Sequence, residues 1–304
     1  MELGIFSTAV NDGTLDDIVA EAAAVERDGF AAFWVPNIFG HDALTVLAVV
    51  GTKVPRIELG TAVVPTFPRH PHAMAQQAHT VAAASGGRFT LGIGLSHKIV
   101  VENMFGLSYD KPVRHLREYL SVLMPLSRNQ FANFDGEMYK VHAAISAKGS
   151  DGFSVVVAAL GEQMLRVTAA MTDGTLTWCT GPVTLANHIV PTITKAADEF
   201  GRPVPRVIAA LPVCVTEDRA GASARAAENF AAYGGLPSYR AMLDREGVEG
   251  PADIAIIGSA TEVQDRVGAL AGIGVTDFAA VEFGATPDEV GNTREALKGL
   301  LGGK

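Results

Sequence analysis

Leu91-Gly92-Ile93-Gly94-Leu95-Ser96-His97-Lys98 poses the first chemical question in this 304-residue sequence. Glycines two apart occur in loops that cradle a dinucleotide phosphate, and the serine, histidine and lysine that follow are groups able to bond, protonate or neutralise a ligand. A dinucleotide fingerprint, however, needs a third glycine at its sixth position and normally lies in the first βα turn. Here the sixth position is His97 and the run falls at the fourth strand-like segment. The better reading is a strand that must bend and whose backbone a ligand approaches closely, delivering Ser96 and His97 to the end of the sheet. An imidazole placed there donates or accepts a proton near neutral pH, so His97 is the candidate acid or base. It equally suits a hydrogen bond to a ligand carbonyl, or a cap on the next helix. Glu102 reads as loop support and Lys98 as a solvated side chain.

Other chemistry-bearing residues offer less. His70, His72 and His79 have no carboxylate partner at ligand spacing, and Pro71 separates the first two, so no metal site is expected. Cys179 and Cys214 lie in apolar runs; Cys179 reads as a small core residue rather than a nucleophile. Arg88, after Gly86-Gly87, reads as a structural ion-pairing residue.

The elements that must position these residues alternate. Strand-like runs at 3–6, 31–35, 57–63, 89–93, 155–158, 175–179, 207–215 and 277–283 are separated by helical patterns, the first capped by Thr14 with Asp16 and Asp17 in its opening turn. Eight βα units in this length predict an α/β fold, a closed (β/α)8 barrel forming a single domain over 1–304, with the doubly wound open sheet as the alternative. The rhythm breaks at 129–153, where Phe131, Phe134, Tyr139 and Val141 surround Asp135-Gly136; this predicts a hairpin inserted at the barrel mouth, after the fourth unit, whose aromatics belong to the core or wall an apolar substrate cavity.

Composition narrows the function. Net charge is −9 with scattered basic residues, which excludes a nucleic-acid or anionic-membrane face and leaves a small molecule as the expected partner. Two cysteines fit a reducing cytoplasm, and no leader or bilayer-length apolar run is legible.

"LGTAVVPTFPRHPHAMAQQAHTVAAASGGRFTLGIG" (59–94) resembles the third and fourth βα units of the luciferase-like flavin and deazaflavin oxidoreductases. "FAAFWVPN" (30–37), "VVVAALGEQMLRVTAAMTDGTLTWCTGP" (155–182) and "GSATEVQDRVGALAGIGVTDF" (258–278) extend the likeness over nearly the whole chain. The pattern is most similar to the branch that uses coenzyme F420, a deazaflavin hydride carrier, with FMN as the alternative cofactor. The resemblance implies an oxidoreductase, a homodimer, and a cis peptide at Ala62-Val63 that makes a bulge behind the cofactor's central ring.

It further implies cofactor contacts at Ser7, Asn37, Ser96 and His97. Ala159-Leu160-Gly161 would meet the anionic tail with backbone amides and a helix N-terminus, with Glu162 just beyond as the discordant charge. Cys179-Thr180-Gly181 would follow the sixth strand, Thr180 donating to the same tail. His97 falls where a sugar-phosphate dehydrogenase branch uses a glutamate for proton transfer. Departures are also present. Asn37 stands where several relatives carry an acid and histidine facing the ring; His41-Asp42 either replaces that pair or caps the following helix. Pro182-Val183 stands where the sugar-phosphate branch has a lysine, which argues against a phosphorylated sugar. Three functions follow: an F420-dependent oxidoreductase with His97 in proton transfer, an FMN-dependent monooxygenase, or a non-catalytic cofactor-binding barrel.

Overall fold

A computed structural model describes residues 1–302. Among the described residues twelve strands form: β1 (Glu2–Phe6), β2 (Ala32–Val35), β3 (Glu58–Thr61), β4 (Val64–Pro65), β5 (Phe89–Gly94), β6 (Ala132–Asp135), β7 (Lys140–Ala143), β8 (Ser154–Val157), β9 (Gly174–Trp178), β10 (Arg206–Val215), β11 (Ile256–Gly258) and β12 (Asp277–Glu282). Eight of them close a parallel ring in the order β1-β2-β3-β5-β8-β9-β10-β12, with β12 returning to β1. Their apolar runs are buried on both faces, as a parallel sheet under helices requires; all six residues of β5 are buried. The closed (β/α)8 barrel expected from the alternation is therefore the fold.

Helices between successive ring strands cover the outside. Thr14 caps Leu15–Asp28 through a reciprocal box with Asp17, and left-handed Gly29 ends it. Inside the ring, Trp34 packs in one cluster with Ala32, Ala62, Ala210 and Ala279 and with the branched side chains of Val156, Leu176 and Ile208. Gly60 is obligatory beside it, since a Cβ there would lie 2.1 Å from the indole ring. The N-terminal end of the ring is occupied by Arg206, which pairs with Glu58 at 2.9 Å and Asp277 at 2.5 Å. With that end filled, the carboxyl ends of the strands are the face on which a ligand meets the barrel.

The structure departs from the sequence reading in three places. The third strand does not run unbroken over 57–63 but stops at Thr61 and resumes as β4. A short extra strand, β11, pairs with the upper half of β10 outside the ring. The hairpin β6–β7 forms as expected, yet lies along helix Pro112–Ser127, where the Glu118 carboxylate accepts the turn amides of Glu137, Met138 and Tyr139 at 2.7–3.2 Å. Phe131 is exposed, and Tyr139 is the hairpin ring that turns toward the barrel-top loops, edge-on to His70.

Candidate active site

The third and fourth ring strands explain the glycine pair. Gly60 of β3 pairs with Thr90, and Val64 of β4 pairs with Ile93, so three residues, Thr61 to Val63, lie against two on β5. This is a bulge, and the Ala62-Val63 peptide within it is cis. Thr61 replaces the lost ladder bonds with its side chain: Oγ1 donates to the Gly92 carbonyl (2.8 Å) and accepts from the Gly92 amide (2.9 Å). The bulge then leans on β5. A Cβ at Gly92 would sit 1.9 Å from the Thr61 carbonyl oxygen, and one at Gly94 would sit 2.6 Å from Val63 Cγ2. What approaches the Gly92 and Gly94 backbone is the neighbouring strand, where the sequence alone suggested a ligand.

Above the Trp34 layer three partly buried apolar side chains, Phe6, Val63 and Trp178, form the floor of the mouth, from the ends of β1, the bulge and β9. The backbone turns sharply at two points on this rim: Ser96 (φ 61°) and Cys179 (φ 50°) are left-handed without being glycine, a conformation concentrated where a chain must aim the next side chain. After Ser96 that side chain is His97. Burial holds its imidazole below the usual 6.5, so it is neutral at pH 7. Six of the eight histidines have a ring nitrogen in a hydrogen bond; among the described residues His97 and His72 do not, and His72 lies on the outer helix Pro71–Ala84. His97 thus has both ring nitrogens available to a ligand, with the ring of Tyr239 (centroids 5.4 Å apart) beside it.

The other expected residues divide. Asn37 sits at the end of β2 but its Oδ1 accepts the Ala43 amide, capping helix Ala43–Gly51. His41 is exposed and donates from Nε2 to the Gly13 carbonyl (3.1 Å), and Asp42 caps the same helix through the Thr45 amide while pairing with Arg69. His41-Asp42 therefore ties loops together rather than joining His97. Ser7 is buried and its hydroxyl donates to Glu21. Cys179 is fully buried and its thiol is pushed up by burial, which leaves no thiolate for nucleophilic work. His79 bonds Ser150 and the Leu126 carbonyl, both at 2.8 Å, and Arg88 serves the Ile57 and Val54 carbonyls.

The two helix N-termini at the rim behave differently. Gly161 precedes helix Glu162–Met171, is exposed, carries no side-chain cap, and would meet nothing within 4 Å if given a Cβ. His188 Nε2 holds that loop by donating to the Leu160 carbonyl at 2.7 Å. After Gly181, by contrast, the chain's own Glu246 carboxylate takes the Val183 and Thr184 amides at 3.1 and 2.7 Å. Of the two loops expected at the anionic tail, the one at Gly161 is open; in the other, the Thr180 hydroxyl expected to donate to the tail is buried and donates to the Trp178 carbonyl at 3.2 Å, and the amides beyond Gly181 are filled by an internal carboxylate.

A bulged third strand with a cis peptide, two glycines that admit it, and a rim histidine over an apolar floor can be compared with known proteins. The family model described as luciferase-like monooxygenase matches residues 1–301. The chain belongs to this family. Within its range of relatives, a 5,10-methylenetetrahydromethanopterin reductase of Methanolobus tindarius is 28% identical over 272 residues, covering 88% of this chain and 82% of the relative. A putative coenzyme F420-dependent oxidoreductase of Mycobacterium tuberculosis is 29% identical over 296 residues, covering 88% and 80%. The coenzyme F420-dependent tetrahydromethanopterin reductase of Methanopyrus kandleri superposes with a TM-score of 0.81 at 21% identity, covering 99% of this chain and 97% of that one, which speaks for the fold.

Sequence reasoning missed Tyr239 and Glu246, both on helix Pro237–Glu246 after β10, and His115. His115 bonds Thr66 just past β4 (2.9 Å) and stacks on Phe67 at 3.9 Å, 3° from parallel, anchoring the chain as it leaves the bulge; burial lowers its pKa to about 4. Nothing in a helical run separates such a histidine from a surface one.

Proposed function

We propose that this luciferase-like chain is an F420-dependent oxidoreductase that moves a hydride between the deazaflavin and a small, uncharged organic substrate, with His97 taking or returning the proton. The observation that carries the reading is the bulge at Ala62-Val63 with His97 on the adjoining strand end: a shaped apolar support beside an imidazole free to bond a reacting group. The names of the two relatives support coenzyme F420 over FMN. The residues present suit such a group. Phe6, Val63 and Trp178 offer apolar surface to a flat ring, and the uncapped amides after Gly161 suit an anionic tail. Glu162 is exposed beside that tail position and lowers, without removing, its attraction for an anion.

When bound, the deazaflavin supplies a carbon that accepts or gives up a hydride. The protein's part is the proton. As a secondary alcohol becomes a ketone, its carbon loses hydride and its hydroxyl loses a proton, which the neutral His97 accepts; in the reducing direction the imidazole, once protonated, returns it. The homodimer that the resemblance implies belongs to the same proposal.

Fluorescence titration of the purified protein with coenzyme F420 and, separately, with FMN tests the cofactor. Binding of F420 at least about tenfold tighter than FMN, roughly 1.4 kcal/mol, is expected. Tighter binding of FMN would replace the proposal with a flavin monooxygenase, and steady reduction of cyclohexenone by reduced F420 would set aside a binding-only barrel.

A further inference from the structure

We propose that Tyr239 is a positioning residue for His97, reaching it from helix Pro237–Glu246 across the barrel mouth. This rests on the proton-transfer role given to His97 above. A histidine that moves protons is usually held in one orientation by a hydrogen bond at its second nitrogen. No such bond to protein exists for His97 among the described residues; the ring of Tyr239, 5.4 Å away and tilted by 54°, is what packs against it. The two come from far apart on the ring, His97 after β5 and Tyr239 after β10, with the ends of β8 and β9 between them.

Tyr239 is itself fixed. Its ring is edge-on to Tyr233 (5.4 Å, 88°), which is edge-on to Trp178 (5.6 Å, 77°) on the mouth's floor. At the far end of its helix, Glu246 is clamped by the Val183 and Thr184 amides, so the helix is tied to the rim at both ends. Packing therefore does what a second hydrogen bond does elsewhere, while leaving both imidazole nitrogens for the substrate.

The electrostatic surroundings agree. The titratable groups nearest on the Tyr239 side are that phenol, the Tyr233 phenol and the Cys179 thiol, all raised by burial and uncharged near pH 7. On its own segment Lys98 and Glu102 pair with each other at 3.9 Å. No charge thus accounts for the lowered basicity of His97; exclusion of water does, and the Tyr239 ring is part of that cover.

Removing the ring admits water, so the His97 pKa should rise toward 6.5 in Tyr239→Leu, read by histidine-resolved NMR titration of the free protein. With reduced F420 and cyclohexenone as probes, kcat should fall about tenfold with a smaller change in KM, since misplacement of a catalytic group acts mainly on the chemical step. Tyr239→Phe, which keeps the ring, should recover the native pKa and most of the rate. In the unmodified protein, an NOE between the His97 and Tyr239 ring protons is expected, which needs no variant to fold. An absent NOE, or a folded Tyr239→Leu whose His97 pKa does not move, overturns the inference. An unchanged rate in a His97 variant would instead remove the proton-transfer reading on which it rests.

Discussion

His97→Ala lowers kcat by about 100- to 1,000-fold while the affinity for coenzyme F420 changes by less than about threefold, on the magnitude usual for a lost acid or base. The split between the two effects is what the geometry dictates. Among the described residues the imidazole holds no hydrogen bond to protein, so deleting it breaks none, and the Ala62-Val63 bulge and the amides after Gly161, which would carry cofactor affinity, are untouched. The pH profile gives a second reading of the same residue. Because burial lowers its pKa, His97 sheds its proton at a lower pH than a free imidazole, and alcohol oxidation, which needs it unprotonated, should stay level through neutral pH and decline as the pH falls through the lowered folded-state pKa. A decline that begins above pH 7 would point to another base. Stopped-flow measurement of the chemical step, with propan-2-ol and oxidised F420 as probes, checks both.

Gly92→Ala is expected to destabilise the protein by about 3 kcal/mol or more and to abolish cofactor binding together with it. The added methyl would meet the Thr61 carbonyl oxygen at 1.9 Å, and neither partner can yield alone, because the Thr61 hydroxyl is bonded to both the amide and the carbonyl of Gly92. The bulge and β5 must separate, and with them goes the support beneath the proposed ring site. For a chain of this length the loss corresponds to a Tm lower by roughly 5–10 °C. Gly272→Ala, at the end of helix Ala260–Gly272 where a Cβ meets nothing within 4 Å, is the control and should hold or slightly raise Tm. A Gly92→Ala protein with native Tm would mean that the strands do not press on each other as described.

Much of this was legible in the sequence for a physical reason. Strands buried on both faces read as apolar runs, and helices announce themselves by their caps, so the ring and its order followed from alternation, and the hairpin from the aromatics around Asp135-Gly136. β11 was hidden by its length of three residues, and the interruption of β3 by the fact that neither Ala62 nor Val63 is a residue type that marks a break, their cis linkage being available through family likeness alone. At the site, His97 was legible because glycines mark the strand that delivers it. His41 and Gly181 matched the pattern by position, yet their surroundings were set by distant residues: Gly13 for the first, Glu246 for the second. Tyr239 illustrates the limit most clearly. It lies in a segment with no motif and reaches His97 only because the chain after β10 folds back over the mouth.

The most direct test of the central claim is a crystal structure of the protein with coenzyme F420 bound. The tricyclic ring is expected to pack on the Ala62-Val63 bulge, with His97 facing its reactive side and the anionic tail on the amides after Gly161. A ring seated elsewhere on the barrel, or a tail carried by the amides that Glu246 now occupies, would contradict the claim.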